Sequence, residues 1–446
     1  MGLSLPGLAS GLDTTSLISQ LMQVEAIPQV LLKNQSSSVQ SMISALQGLN
    51  GKVAALATVA TAAGKPDSLE LFSATSSSTA VTATATAASG AASGSIDVVV
   101  GATAQAQVSV SDKVATWPVN TFTVTSAAGT PTTIIAASSS LDDVATAVNN
   151  SAAGVSVLKI ATGEVDASGN ALFRLQFSAG ATGTAAGFTV SDATLTSIKP
   201  PTDAKVTLYA NTTAAQTITS ATNTFTNLLP GVTVNVTAAS TDPVTITVAK
   251  DTSRISAVAS NLVSSLNGIF AAISTQSAVV NSTDSSGNPK VSGGVFTGEA
   301  TVRDVNQNLV NAASMPVGSS GRSPSEFGIS IQKDGSFQFD AAKFTAALAA
   351  DPVKTKADFQ ELATRVAAAA NLASDKYNGT LTTDITGQQA RSKDLADQIS
   401  TWDQRLSDRQ AALKQTYANL EVTLSTMQSQ SAWLTSQLTS LSAGSK

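Results

Sequence analysis

Carboxylates are the side chains of this chain whose types and spacing come nearest to chemistry. Asp394, Asp397, Asp403 and Asp408 recur within one stretch, with Arg405 and Arg409 among them. Two suitably placed acids are all that glycoside hydrolysis requires. Mixed signs at helical spacing, however, are what a solvated helix face needs for solubility and side-chain pairing, and that is the preferred reading. Aromatic residues, useful for stacking sugars, are only 4% of the chain, which weakens the hydrolase reading further. Asp166-Ala-Ser-Gly-Asn170 and Asn281 to Asn288 are oxygen-rich in the manner of calcium loops, but both lack the glutamate and full spacing of such a site. Turns are expected there. With 0 histidines and 0 cysteines, the chain cannot build a Ser–His triad, a thiol nucleophile or the usual zinc site. No phosphate-cradling glycine loop is present. No catalytic, metal or cofactor-binding residue is assigned, and the chain is expected not to be an enzyme.

Charge points the same way. The net charge is −5 without a long basic run, so there is no electrostatic footprint for nucleic acid. No membrane insertion is expected either, because no uninterrupted apolar run reaches the ~18 residues of a span. The first charged side chain is Asp13, so the start lacks the basic region of a cleavable signal peptide.

The elements that must position these residues are legible from hydrophobic period. Asp13 is placed to cap a helix. Leu17, Leu21, Val24, Pro28 and Leu31, then Val39, Met42, Leu46, Leu49, Val53 and Leu56, step by threes and fours as a coiled-coil seam. Two consecutive fours between Leu31 and Val39 make a stutter. Pro28 predicts a kink or a break near Ile27, with a new helix starting there. At the other end Leu395, Ile399, Trp402, Leu406, Arg409, Leu413, Tyr417, Leu420, Leu424, Met427, Ser431, Leu434, Leu438 and Leu441 repeat the design, and antiparallel pairing of the two segments is expected. Trp402, and Trp433 beside Leu434, can be core filler or anchors for another subunit. The seams themselves can be an internal stripe or an assembly surface. Their position at the two ends favours assembly, with the terminal thirds ordering only when partners arrive.

Between about Ser73 and Asp251 the period becomes two, which predicts strands. Ser140 caps one helix carrying Leu141, Val144 and Val148. Asp251 caps a helix through Ile273, a turn-rich stretch follows at Asn281 to Gly294, and a helix runs near Val302 to Val310. Lys333-Asp334-Gly335 marks a hairpin. Asp351-Pro352 opens a helix expected to reach Tyr377. The fold class is therefore α+β and multidomain: a terminal helical coiled-coil rod with inserted β-rich head domains. Four parts are expected: 1–45 with 405–446, a coiled coil; 46–72 with 252–404, a helical and mixed leg; 73–112 with 200–251, β-rich; and 113–199, an inserted β-rich head.

The same residues resemble the flagellar filament-capping family, hook-associated protein 2 (FliD). Gly7-Leu-Ala-Ser-Gly-Leu-Asp13, Leu21-Met22, Glu25 and Pro28 look like its opening signature. Leu229-Pro230-Gly231, Val244 to Val248, Asp251-Thr252, Gly328-Ile329, Asp334-Gly335, Asp351-Pro352, Trp402 to Leu406 and Ser431 to Leu434 match its later pattern. Glu299 stands where an Asp is expected, and the segment Lys113 to Lys199 is similar mainly through Leu141 to Asn150. The resemblance implies a ring-shaped homo-oligomer of about five copies at the filament tip. There it would promote folding and insertion of exported flagellin and prevent its leakage. The implied partners are flagellin, the hook–filament junction protein and an export chaperone; the implied place is outside the cell, reached through the flagellar type III apparatus. The interface expected from the seams comprises Leu17, Leu21, Val24, Leu31, Trp402, Leu406, Leu420, Leu424, Met427, Trp433 and Leu434. A flagellin or junction protein on the same terminal plan, and a tip adhesin using the Ser- and Thr-rich strands on a glycan, are the alternatives.

Overall fold

The computed structural model describes residues 13–85, 93–283 and 286–443. The Gly7 to Leu12 part of the opening signature lies outside them. In chain order the helices are α1 (Thr14–Glu25), α2 (Ile27–Ala63), α3 (Leu141–Asn149), α4 (Thr252–Ser277), α5 (Ala300–Ser314), α6 (Ala341–Ala350), α7 (Pro352–Ser374) and α8 (Thr380–Ala443). Two compact units divide the chain, Met1–Lys65 with Ala259–Lys446, and Pro66–Val258.

In the first unit Asp13 accepts from the Ser16 backbone N–H at 3.0 Å and so starts α1. The helix stops at Ala26, and α2 restarts with Pro28 in its first turn, where a missing N–H removes no helical bond. That is the break the sequence predicts. Val39, Leu46, Leu49, Val53, Leu56, Ala60 and Ala63 keep heptad spacing on the buried face of α2. They pack against α7 and the start of α8, which bury Phe359, Leu362, Val366, Ala370, Leu381 and Leu395. Each large apolar side chain covered in this way contributes ~1.5–3 kcal/mol. Strands Ile329–Ile331 and Phe337–Phe339 form the hairpin expected around Asp334.

Two sequence expectations are corrected, and one helix shows a property that no sequence expectation named. The turn-rich stretch at 281–294 contributes to an antiparallel hairpin of Val279–Thr283 with Pro289–Gly293, whose strand residues are all exposed and so carry no in-and-out alternation to read. The helix opened by Pro352 ends at Ser374, because Asp375 accepts from the N–H groups of Tyr377 and Asn378 at 2.9 and 2.7 Å and turns the chain. Finally, α4 is long and apolar enough to cross a membrane by length and composition. Its Ile255, Ala259, Leu262, Val263, Leu266 and Ile269 form a buried face, and the rest of the helix is not buried.

Among its described residues the second unit holds two hydrophobic cores. One gathers Phe72, Val98, Val206, Phe225, Val234 and Ile246 between a five-stranded sheet, ordered 72–76, 244–250, 94–102, 204–208 and 216–220, and a three-stranded one. Alternation supplies it: Val232, Val234 and Val236 point inward while Thr233 and Asn235 do not. The other core surrounds Trp117, whose ring lies 5.8 Å from those of Phe122 and Phe177. A four-stranded sheet, a three-stranded sheet and α3 enclose it. Ser140 caps α3 by accepting from Asp143 N–H at 3.1 Å, and Leu141, Val144 and Val148 face the core.

Candidate assembly surface on the terminal helices

The first two helices and α8 meet as an antiparallel pair. Glu25 faces Arg409 at 3.5 Å, and Gln29 donates to the Asp403 carboxylate, so partners fall in number on α8 as they rise on α1 and α2. Polar groups set this register more than apolar burial does. On α1 and the first turn of α2, the buried side chains are Thr14, Ile18 and Gln29, and Glu421 is buried on α8. An ion pair as exposed as Glu25 with Arg409 is worth ~0–1 kcal/mol. The contact is therefore lightly held compared with the middle of α2.

The seam expected from the sequence lies elsewhere on α1 and the start of α2. Leu17, Leu21, Val24 and Leu31 are exposed by 44, 42, 65 and 63%, so the face that meets α8 is the one through Thr14 and Ile18. On α8, Trp402, Leu406 and Leu424 are half-buried, whereas Leu420, Met427, Trp433 and Leu434 are exposed. The structure thus places the eleven candidate residues on three helices, α1, α2 and α8, without gathering them into one contact. The guanidinium of Arg405 covers the Trp402 ring at 4.9 Å, a cation–π contact. Beside the pair runs a cleft of about 640 Å³, lined by Ser19, Met22 and Gln23 on one side and Lys414, Tyr417 and Glu421 on the other.

Past Glu421 the helix continues to Ala443, roughly 33 Å at ~1.5 Å per residue. Residues 422–443 carry no charged side chain. From Val422 to Ser440 all are exposed except half-buried Leu424. A helix with heptad-spaced Leu424, Met427, Leu434 and Leu438 and no charge on the opposite face is unlike an ordinary solvated helix. What such a surface can do is associate.

The carboxylates of α8 do not converge. Lys393 and Asp397 pair at 3.2 Å one turn apart, Gln404 donates to Asp408 at 2.9 Å, and Asp403 and Arg409 are engaged by Gln29 and Glu25. Among the described residues no three Asp or Glu side chains are grouped so as to hold a metal ion. At Asp166, the side-chain amide of Asn170, followed by backbone N–H groups, holds the carboxyl below its usual range. Its oxygens close a hairpin turn, accepting from Ser168 and Asn170 N–H at 2.8 Å.

One polar cluster escaped the sequence reading. Arg322 donates to Thr355 at 3.1 Å and to Asp358 at 3.3 Å, and both acceptors are buried. Gly318, with φ +71°, lies so close that a Cβ there would sit 2.5 Å from Asp358 Oδ1. Its N–H meets Glu361 at 2.9 Å, and Arg365 binds the carbonyls of Met315 and Pro316. These bonds fix the loop after α5 onto α7; removing one partner would leave a buried charge. Charges 36 positions apart give no periodic signal, so only the fold reveals them.

Comparisons with known proteins bear on both chain ends and the strands between. Residues 202–429 match the pattern of the flagellar hook-associated protein 2 C-terminus, and residues 10–107 that of its N-terminus. Flagellar hook-associated protein 2 of Escherichia coli O157:H7 is 28% identical over 462 residues, covering 97% of either chain. The crystal structure of the D1–D2–D3 domains of the flagellar cap protein FliD from Escherichia coli superposes with a TM-score of 0.59 at 22% identity, over 77% of this chain and 99% of that one. That likeness concerns the fold. FliD (HAP2) from Pseudomonas aeruginosa PAO1 aligns with a TM-score of 0.36 at 18% identity, over 46% of this chain and 99% of that one.

Proposed function

The chain belongs to the flagellar hook-associated protein 2 family, and from that premise we propose that it is a flagellar filament cap. It acts outside the cell at the filament tip, after export through the flagellar type III apparatus with the help of a chaperone. It works without catalysis, as a ring-shaped homo-oligomer of about five copies seated beyond the hook–filament junction protein. There it promotes the folding and insertion of arriving flagellin and prevents its leakage. The four-part division of the chain, from terminal coiled coil to inserted head, belongs to the same proposal.

The observation that carries this reading is the pair of largely uncovered stripes on the terminal helices, Leu17 to Leu31 and, beyond half-buried Leu424, Met427 to Leu438. Ordering a helix costs ~1–2 kcal/mol per residue. Uncovered apolar side chains do not offset that cost, and the same side chains covered by other subunits do. Assembly and ordering are then one event, and the eleven candidate residues are its contact surface, toward other copies and toward flagellin.

A strain lacking the gene tests the proposal. Hooks should remain, filaments should be missing, and unpolymerised flagellin should accumulate in the medium until the intact chain is supplied. Normal filaments in that strain would contradict it.

A further inference from the structure

The two stripes have the same spacing when one is read backwards. Leu17, Leu21, Val24, Pro28 and Leu31 advance by four, three, four and three; Leu438, Leu434, Ser431, Met427 and Leu424 descend by four, three, four and three. Both therefore span four alternating steps, roughly 21 Å along a helix. The α1 stripe continues through Ala26, whose φ −81° and ψ −9° remain right-handed helical. A layer-by-layer match with this spacing is what knobs-into-holes packing of antiparallel helices requires.

Within one chain that match is impossible. The internal register sets Glu25 against Arg409 and Gln29 against Asp403, so Val24 lies near position 410, about three heptads from Ser431 and roughly 32 Å away along the helix. The α8 stripe that fits Leu17 to Leu31 must come from another molecule. Charge permits the contact: residues 422–443 are uncharged, and Glu25, the one charged residue between Thr14 and Leu32, is engaged by Arg409 of its own chain.

We propose that, within the oligomer inferred above, the end of α8 in one copy lies antiparallel on the Leu17 to Leu31 face of the next. Leu438 meets Leu17, Leu434 meets Leu21, Ser431 meets Val24, Met427 meets Pro28 and Leu424 meets Leu31. Each copy gives a stripe to one neighbour and receives a stripe from the other. Such a head-to-tail contact closes into a ring when its rotation closes.

The absence of native cysteine allows a direct test. A chain carrying only Leu21→Cys is mixed with a chain carrying only Leu434→Cys, both exposed positions, and the mixture is oxidised. The expected product is the mixed disulfide dimer. It should exceed, by about tenfold or more, the product of Leu21→Cys with Met427→Cys, which lies one heptad out of register and beyond the ~7 Å between Cα atoms that a disulfide spans. Leu17→Cys with Leu438→Cys repeats the test one layer away, should either first variant fail to fold. Disulfides joining two α8 ends, equal yields in and out of register, or no mixed dimer from the two cysteine variants while the wild-type chain still assembles would overturn the pairing and give the stripe to another occupant, flagellin included. If that wild-type chain restores filaments, only the pairing falls; a wild-type chain that stays monomeric and restores none removes the oligomeric reading itself.

Discussion

Trp117 and Trp433 are the same side chain in opposite circumstances. Trp117 is 2% exposed at the centre of an aromatic cluster enclosed by two sheets and α3. Trp433 is 61% exposed on a helix whose neighbouring residues are also bare. An indole carries a large apolar area, and folding covers that area on the first and not on the second, although the buried Trp117 N–H finds no acceptor among the described residues. The contrast extends to the surroundings. The head core closes on itself through strand pairing over long sequence separations, whereas the ends of the chain show heptad stripes that their own register leaves uncovered. One region is complete within the described residues of a single chain, and the other presents the surface that the proposed assembly would cover.

The sharpest way to break this contrast is to shorten both indoles. Trp117→Ala should cost ~3–5 kcal/mol in unfolding of the β-rich unit, measured by denaturant titration, since it leaves a cavity in a closed core. Trp433→Ala should change the stability of the dilute monomer by less than ~0.5 kcal/mol and appear only in assembly. Equal destabilisation by both would mean that α8 is covered within the monomer. A smaller effect sharpens the head side: Ser140→Ala removes the α3 cap and should cost ~1 kcal/mol in the same titration. Smallest is a pH effect at the hairpin turn closed by Asp166. Its folded carboxyl titrates below the ordinary value of 3.8, so its hydrogen bonds stabilise the turn above that pH and are lost as pH falls below it. The amide resonances of Ser168 and Asn170 should shift between about pH 5 and pH 2, while residues 422–443, which carry no titrating side chain, should show no titration of their own.

Much of this was legible in the sequence because it is local. The Asp13, Ser140 and Asp251 caps, the break at Pro28, the hairpin around Asp334 and the switch from a seven-residue to a two-residue period each depend on a few neighbouring residues. What escaped depends on distant ones. The heptad stripe through Leu17 and Leu21 is plain in the sequence, yet the helix turns Thr14, Ile18 and Gln29 to α8, because Glu25 with Arg409 and Gln29 with Asp403 choose the register. The hairpin at 279–293 was hidden because no face of it is buried. Arg322 with Asp358 was hidden because a buried charge pair looks, one residue at a time, like two surface charges.

Hydrogen exchange on the dilute, monomeric chain measures the difference between the two regions most directly. Amides of residues 14–31 and 422–440 should exchange orders of magnitude faster than those around Phe122 and Phe177, and should slow when the oligomer forms. Equal and strong protection of both regions in the monomer would contradict the account.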